Sequence, residues 1–461
     1  MKLTRKELLV GGAAGAALGA AGIYELVDKL ADSSSSQAAA GHVPEQHLVN
    51  GLRVEKKEGV EVVVPLRHHE VVTARVVAPE DQLLDARASL AAVLTKLDAD
   101  YPATPDGLAV TVAWGLPYFQ SFVPEAAKVH LPFDRRARKE ALLDSVRFPS
   151  DPDDTILEDN HVAFLLRSDN EENIRTAATE IADRMKGALA VTSIRKGFAG
   201  QMDGGMGLPK EMATAAGVPG ADLIPDGSEL FLGFTSTQRN ALGPPKIVNF
   251  ETLGLVDLGP RSYFHGGTHM HLSHIFEDLE AWYLNQDFRD RVNTTFRPRM
   301  LVRPGAQTVA QPPSRVASVS EVRRDYDRFG IIGHSSSLQP ATRLQQDVHG
   351  SDGTLYRKGT AIPQRADFNT LDNPFFWSAD PKRDRMGEGP AAGLHFVVFN
   401  PTSDDFHRNR LAMDGHMPDG EKLQFAPRAA GQGFNSILKT THRQNFLVPP
   451  RRHRAFPLVE L

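Results

Sequence analysis

Cysteine does not occur anywhere in the 461 residues. Its absence excludes disulfides, thiolate nucleophiles, zinc-thiolate sites and iron-sulfur clusters, and it suits an oxidising compartment where stray thiols are a liability. Any metal or cofactor must therefore be held by His, Asp, Glu or Tyr. A concentrated basic face is also missing: 52 Lys and Arg stand against 57 Asp and Glu, a net charge of -5, so nucleic acid is not an expected partner. No G-x-S-x-G elbow, H-E-x-x-H helix or P-loop occurs, which removes the usual hydrolase and nucleotide signatures. Asp203-Gly204-Gly205 reads as a turn rather than a phosphate cradle. Hydrophobic residues at 41% and charged residues at 24% are the balance of an ordinary globular protein with a sizeable core.

What is present begins with a leader. Lys2, Arg5 and Lys6 precede an apolar run from Leu8 to Ile23, and polar Ser33 to Gln37 follow, the order of parts found in export signals. The segment Thr4-Arg5-Lys6-Glu7-Leu8-Leu9 resembles the twin-arginine motif with lysine in the second basic place. Its apolar run is rich in Gly and Ala and falls short of the about twenty residues a membrane span wants. Residues 1–40 are expected to be a twin-arginine-type signal peptide, cut after Ala38-Ala39-Ala40. That implies export of a folded chain to the cell envelope or beyond. A retained anchor, which would bring membrane contact, and a frayed amphipathic N-terminus are the alternatives.

The body alternates strands and helices. Val71 to Val77 reads as a strand, and Leu83, Leu84, Leu90, Val93, Leu94 and Leu97 recur at helical spacing. Val110, Val112 and Trp114 form one face of a second strand. Val162 to Leu166 is a third, leading to a helix through Ile174, Ala178, Ile181 and Met185, with Asp169 as N-cap and Glu172 completing a capping box. This β-α-β, β-α rhythm is ferredoxin-like. Gly197 to Gly227 is rich in Gly and Pro and reads as irregular. The rhythm then restarts with a strand from His269 to Ile275 and a helix from Phe276 to Val292, with Leu279, Trp282 or Tyr283, and Phe288 inward. Arg297 to Ser318 holds four prolines and reads as irregular, and Gly393 to Asn400 is a strong late strand. The expected class is α+β, with two ferredoxin-like halves over 41–240 and 241–461, each sheet covered on one face by helices.

Seventeen histidines prompt a search for ligands. His334 follows Ile331-Ile332-Gly333 in a turn-like setting that could present its ring to a cavity, although a loop histidine on its own reads as a surface residue. His269 and His271 share a strand face by the period of two, and two imidazoles there could bind a divalent metal; a polar strand face is the alternative. Arg451-Arg452-His453-Arg454 reads as a solvated tail.

Four segments in order resemble the dye-decolourising peroxidases, haem proteins built of two ferredoxin-like halves in the manner of a dimeric α+β barrel. Val112-Ala113-Trp114-Gly115-Leu116-Pro117-Tyr118-Phe119 is similar to the family's first-half strand ending, and Gly233 to Asn240 sits where the family has G-F-K-D-G-T-x-N. Gly266-Gly267-Thr268 through Trp282 matches G-G-S-Y followed by strand and helix, and Gly393 to Phe399 resembles the closing strand.

The resemblance implies that His334 is the proximal ligand to the iron of haem b, in the C-terminal half, leaving the opposite face open for peroxide. It implies that Arg365 is the distal arginine, with a loop at Gln345 to Gly359 inserted before it. Arg343 would pair with a propionate and Phe396 would pack on the haem face, unless it is an ordinary core residue. The family's distal aspartate is replaced by Ser236, whose hydroxyl can hydrogen-bond peroxide but cannot act as a carboxylate base; Asp367 is a replacement or a turn residue. The implied activity is reduction of hydrogen peroxide at the expense of a small-molecule reductant, with surface Tyr or Trp residues such as Trp282 relaying electrons unless Trp282 is core. A homo-oligomer is compatible with this. A haem-binding or haem-handling protein with little peroxidase activity, a non-haem metal protein using His269 and His271, and a cofactor-free relative remain beside it.

Overall fold

A computed structural model describes residues 44–57, 60–201, 207–234, 239–259, 261–301, 317–372, 389–424 and 431–461. The leader, Asp203-Gly204-Gly205 and Ser236 lie outside these residues. Strand β1 (His68–Val76), helix α1 (Leu83–Asp100), β2 (Ala109–Gly115), β3 (Val162–Ser168), α2 (Glu171–Arg184) and β4 (Leu189–Phe198) follow the rhythm of the sequence. All are antiparallel, in the spatial order β4-β1-β3-β2. The cap of α2 differs from the expectation. Asn170 accepts from the Glu172 amide, because the Asp169 carboxylate is already held by the Arg67 amide at 2.9 Å.

The stretch expected to be irregular contains α3 (Leu208–Ala215), in which Pro209 starts the helix instead of breaking it. Strand β5 (Thr268–Glu277) comes next. The single helix expected over 276–292 is two, α4 (Leu279–Leu284) and α5 (Phe288–Thr295), since the Asp287 carboxylate accepts from the Asp290 amide and caps a new start. Then come α6 (Val319–Phe329), α7 (His334–Thr342), the short β6 (Gln364–Arg365) and β7 (Phe368–Thr370), β8 (Gly393–Asn400), α8 (Ser403–Met413) and β9 (Leu438–Val448). The second set is ordered β9-β5-β8-β7. Each half thus places its fourth strand, first, third and second in that sequence, the ferredoxin-like arrangement.

The two sheets join edge to edge at both ends. β2 meets β9 through Gly115 opposite Phe446 and Trp114 opposite Leu447, and β4 meets β7 through Phe198 opposite Asn369. The pairings therefore run round a closed ring, which removes bare edges. Both seams carry a glycine and an amide side chain. A Cβ on Gly115 would stand 2.3 Å from the Asn160 carbonyl oxygen, and one on Gly197 would stand 2.1 Å from that of Asn369. Gln444 donates to the Asn160 carbonyl, and Asn369 donates to the carbonyls of Phe198 and Glu229.

Alternation along each strand sorts residues between two layers. Val71, Ala113, Leu165, Met270, Leu272, Val397, Phe399 and Phe446 fill the ring. Val110, Val112, Trp114 and Phe164 point outward and pack against Leu90, Leu94, Leu97, Ile174 and Ile181 of α1 and α2. The C-terminus is not a solvated tail: Arg451 and Arg454 both pair with Asp98, Phe456 and Leu458 are buried, and Trp114 donates its indole N–H to the Arg454 carbonyl. Among the described residues no helix is long and apolar enough to cross a membrane.

Candidate active site

The outward face of the second sheet is polar where that of the first is apolar. By the period of two, His269, His271 and Ser273 of β5 lie opposite the inward Met270 and Leu272, and Phe396 and Val398 of β8 share their face. Arg365 pairs with Val398 and joins them. Helices α7 and α8 pack on each other above this face, bringing Phe406 to 6.2 Å from Phe396 between ring centroids. Phe396 is the one residue of β8 that is not buried.

His334 lies near Arg365 of this face. Rather than a turn, it occupies the first position of α7. Gly333 before it must be glycine, since a Cβ would stand 2.3 Å from the Phe296 carbonyl oxygen. The Phe434 ring stacks on the imidazole at 4.3 Å. His334 is partly accessible to solvent although protein surrounds most of it. Burial first, then the nearby guanidiniums of Arg365 and Arg410, hold its pKa down at about 3, so it is a neutral imidazole, the form that binds metals. Its Nδ1 is buried and has no hydrogen-bond partner among the described residues.

Two arginines belong to the site, Arg365 near His334 and Arg343 near Arg365. Arg365 is half-buried, and burial lowers its pKa while the charge of Asp367 opposes that. Arg343, at the end of α7, donates to the Gly359 carbonyl at 2.8 Å; burial and then Arg365 lower its pKa. Neither forms an ion pair with a described residue. Arg410 is a third cation near His334, neutralised by Asp151 and Asp414. Asp367 is buried, and Arg365 feels its charge. The structure thus gathers His334, Arg343, Arg365, Asp367 and Phe396 from α7, β6, β8 and their flanks onto one side of the second sheet. The Gln345 to Gly359 insertion forms a small hairpin, Val348 and His349 pairing with Tyr356 and Leu355.

Other expectations end differently. Trp282 is fully buried and donates to the Leu232 carbonyl, so it is a core residue and no surface relay. His269 and His271 do share a face, but both nitrogens of His271 are engaged, with Asn445 at 2.7 Å and Ser273 at 2.6 Å. Among the described residues no set of three or more His, Asp or Glu side chains is arranged to hold a metal ion. Sequence reasoning missed Glu277 and Arg410. For Glu277 the signal was faint: an ionisable residue ending a strand on the outward parity, just before the Asp278 cap.

The ring of two ferredoxin-like halves is the fold of the dye-decolourising peroxidases. The crystal structure of a DyP-type peroxidase from Cellulomonas bogoriensis superposes with a TM-score of 0.51 at 15% identity, covering 89% of this chain and 96% of that one. The corresponding values for a dye-decolorizing peroxidase from Bacteroides thetaiotaomicron are 0.48, 12%, 90% and 98%. For a putative enzyme from Shewanella oneidensis they are 0.47, 14%, 84% and 94%. By sequence, the chain belongs to a family of unknown function, DUF7405, whose model matches residues 66–450. No curated protein matches it.

Proposed function

We propose that this chain is an exported haem peroxidase of the dye-decolourising type, which reduces hydrogen peroxide with electrons from a phenol, a dye or another small reductant. One observation carries the reading: a neutral, partly accessible His334 lies near the Arg365 guanidinium, which in turn acts on Arg343, and neither arginine forms an ion pair with a described residue. A haem carries two carboxylates and an iron that takes a neutral imidazole, so the residues present fit the group. When bound, haem b would supply an iron with one open coordination position and the electrons that cleave peroxide.

His334 would hold the iron, Arg343 a propionate, and Phe396 one part of the macrocycle. Arg365 is a fixed cation that stabilises the charge developing as the O–O bond breaks, with no proton transfer required. Ser236 can donate a hydrogen bond to peroxide, and Asp367 can accept a proton. Twin-arginine export suits a chain that folds around a cofactor before leaving the cytoplasm.

The test is a visible spectrum of protein purified from a haem-sufficient host. A Soret band lost or shifted in His334→Ala is expected, and an unchanged spectrum in that variant would remove the ligand assignment. The hydroxyl of Ser236 favours a second reading, a haem-binding protein with weak turnover. Ser236→Asp separates the two: a peroxidase short of an acid-base group gains activity, while a binding protein does not.

A further inference from the structure

We propose that Glu277, acting with Asp367, forms the proton-exchanging pair of this site. The inference rests on the peroxidase reading above, and it names the residues that handle protons in it. Cleaving peroxide to water moves one proton off one oxygen and places one on the other, a task for a positioned acid and base.

Four observations place Glu277 in that role. It ends β5 on the outward parity shared with His271 and Ser273, the face on which Arg365 and Asp367 lie. Its side chain is buried, at 3% exposure, and Oε2 has no hydrogen-bond partner among the described residues. A lone carboxylate in such surroundings is costly, and the group avoids that cost by keeping its proton. Burial first, then the charge of Asp367, raise its pKa to about 8. Asp367 in turn is the carboxylate that Arg365 feels, so the two acids sit in series with the site's cation.

The groups around Glu277 are specific. Tyr283 of α4 feels its charge and donates to the Phe231 carbonyl at 2.6 Å, while Arg291 of α5 lies over the Tyr283 ring at 4.8 Å. Helix α4, which follows Glu277 directly, also fixes Leu232 through Trp282. The two acids differ in their surroundings: Asp367 acts on the Arg365 guanidinium, and Glu277 has no cation among the neighbours that shift its pKa.

The proton count closes. Asp367, as carboxylate, takes the proton of one peroxide oxygen, and Glu277 gives its proton to the other, which departs as water. The proton on Asp367 then returns to Glu277. The electrons that cleave the bond would come from the haem, and two electrons of the reductant with two solvent protons would then release the remaining oxygen as a second water.

Infrared difference spectroscopy of the purified full chain reads the proton directly, whether or not haem is bound. A carbonyl band of a protonated carboxyl group is expected at pH 7. It should fade as pH rises through about 8, be absent in Glu277→Gln, and titrate at lower pH in Asp367→Asn, which lacks the negative neighbour. In the haem-loaded chain, Glu277→Gln should keep the Soret band and react with peroxide about 10² to 10⁴ times more slowly, with partial recovery in Glu277→Asp. An unaltered infrared band in Glu277→Gln, or an unchanged peroxide rate in that variant with its Soret band intact, overturns the proposal and leaves the peroxidase reading standing. A wild-type chain without a Soret band but with the titrating band removes the peroxidase reading instead, and the pair's role falls with it.

Discussion

The two halves share one strand order and differ in what they put on the outside. In the first, Val110, Val112, Trp114 and Phe164 meet Leu90, Leu94, Leu97 and Ile181. Apolar contact fixes the helices, and even the cavity beneath α2, about 60 Å³, is lined by apolar residues such as Val72, Ile181 and Met185. In the second half the equivalent face presents His271, Ser273, Arg365 and Glu277, and α7 and α8 lie over it with His334 and Phe396 still partly accessible. Topology is therefore not what makes a site here. A strand whose outward residues are apolar glues its helices down, at about 25 cal/mol for each Å² of apolar surface removed from water. Where the outward residues are polar, full contact would strand donors and charges without partners, and His334 and Phe396 there keep partial access to solvent.

Substitutions in the two halves should separate cleanly along this line. The largest effect is expected from His334→Ala, which should remove the Soret band of the haem-reconstituted chain while far-ultraviolet circular dichroism stays the same. Arg365→Leu should keep the band and slow the reaction with peroxide about 10² to 10³-fold, measured by stopped-flow absorbance. In the first half, Leu94→Ala should cost about 2 to 5 kcal/mol of stability in a denaturant titration, yet leave the spectrum of the surviving folded protein as it was. A spectrum altered by Leu94→Ala would show that the halves are not separable. Gly115→Ala and Gly197→Ala, at the two seams, should each cost about 1 to 3 kcal/mol, and the two should match within the error of the titration if the seams are equivalent.

Acidity offers a finer probe. His69 and His334, one from each half, both have pKa values held down at about 3, chiefly by burial. In the unfolded chain each binds a proton below its ordinary value of about 6.5, and in the folded chain neither does until far lower pH. Their contribution is thus fully present above pH 6.5 and is lost as pH falls toward 3. Thermal melts of the haem-free chain should show a falling midpoint below pH 6.5, and replacing either histidine by Gln should flatten that fall.

Much of the fold was legible because its signals were local. The apolar runs of β3 and β8 and the helical spacing of Leu90, Leu94 and Leu97 need no tertiary context. The errors were also local in origin. The Gly- and Pro-rich composition of Gly197 to Gly227 hid α3, which Pro209 opens, Asp287 hid a second helix start inside an apolar periodicity, and Asp169 lost its cap role to a distant amide. The site was less legible. His334, Arg365 and Phe396 gain meaning from the sheet pairing and helix packing that bring them together, and the resemblance supplied that pairing in advance. Glu277 stayed hidden because strand parity tells the side on which a residue lies, while the depth that keeps its proton is a property of the assembled layers.

The seams have a consequence for what a fragment of this chain can do. Closure depends on three residue pairs in all, two at one junction and one at the other. A piece ending after Phe198 would leave β2 and β4 each with an open edge, and each edge is shaped to receive a strand of the companion sheet. Because the companion has the same strand order, a second copy of that piece could take its place. Cut in two, the molecule should therefore come apart into parts that pair with their own kind. What is intramolecular architecture in the whole chain is, in its pieces, a rule of association.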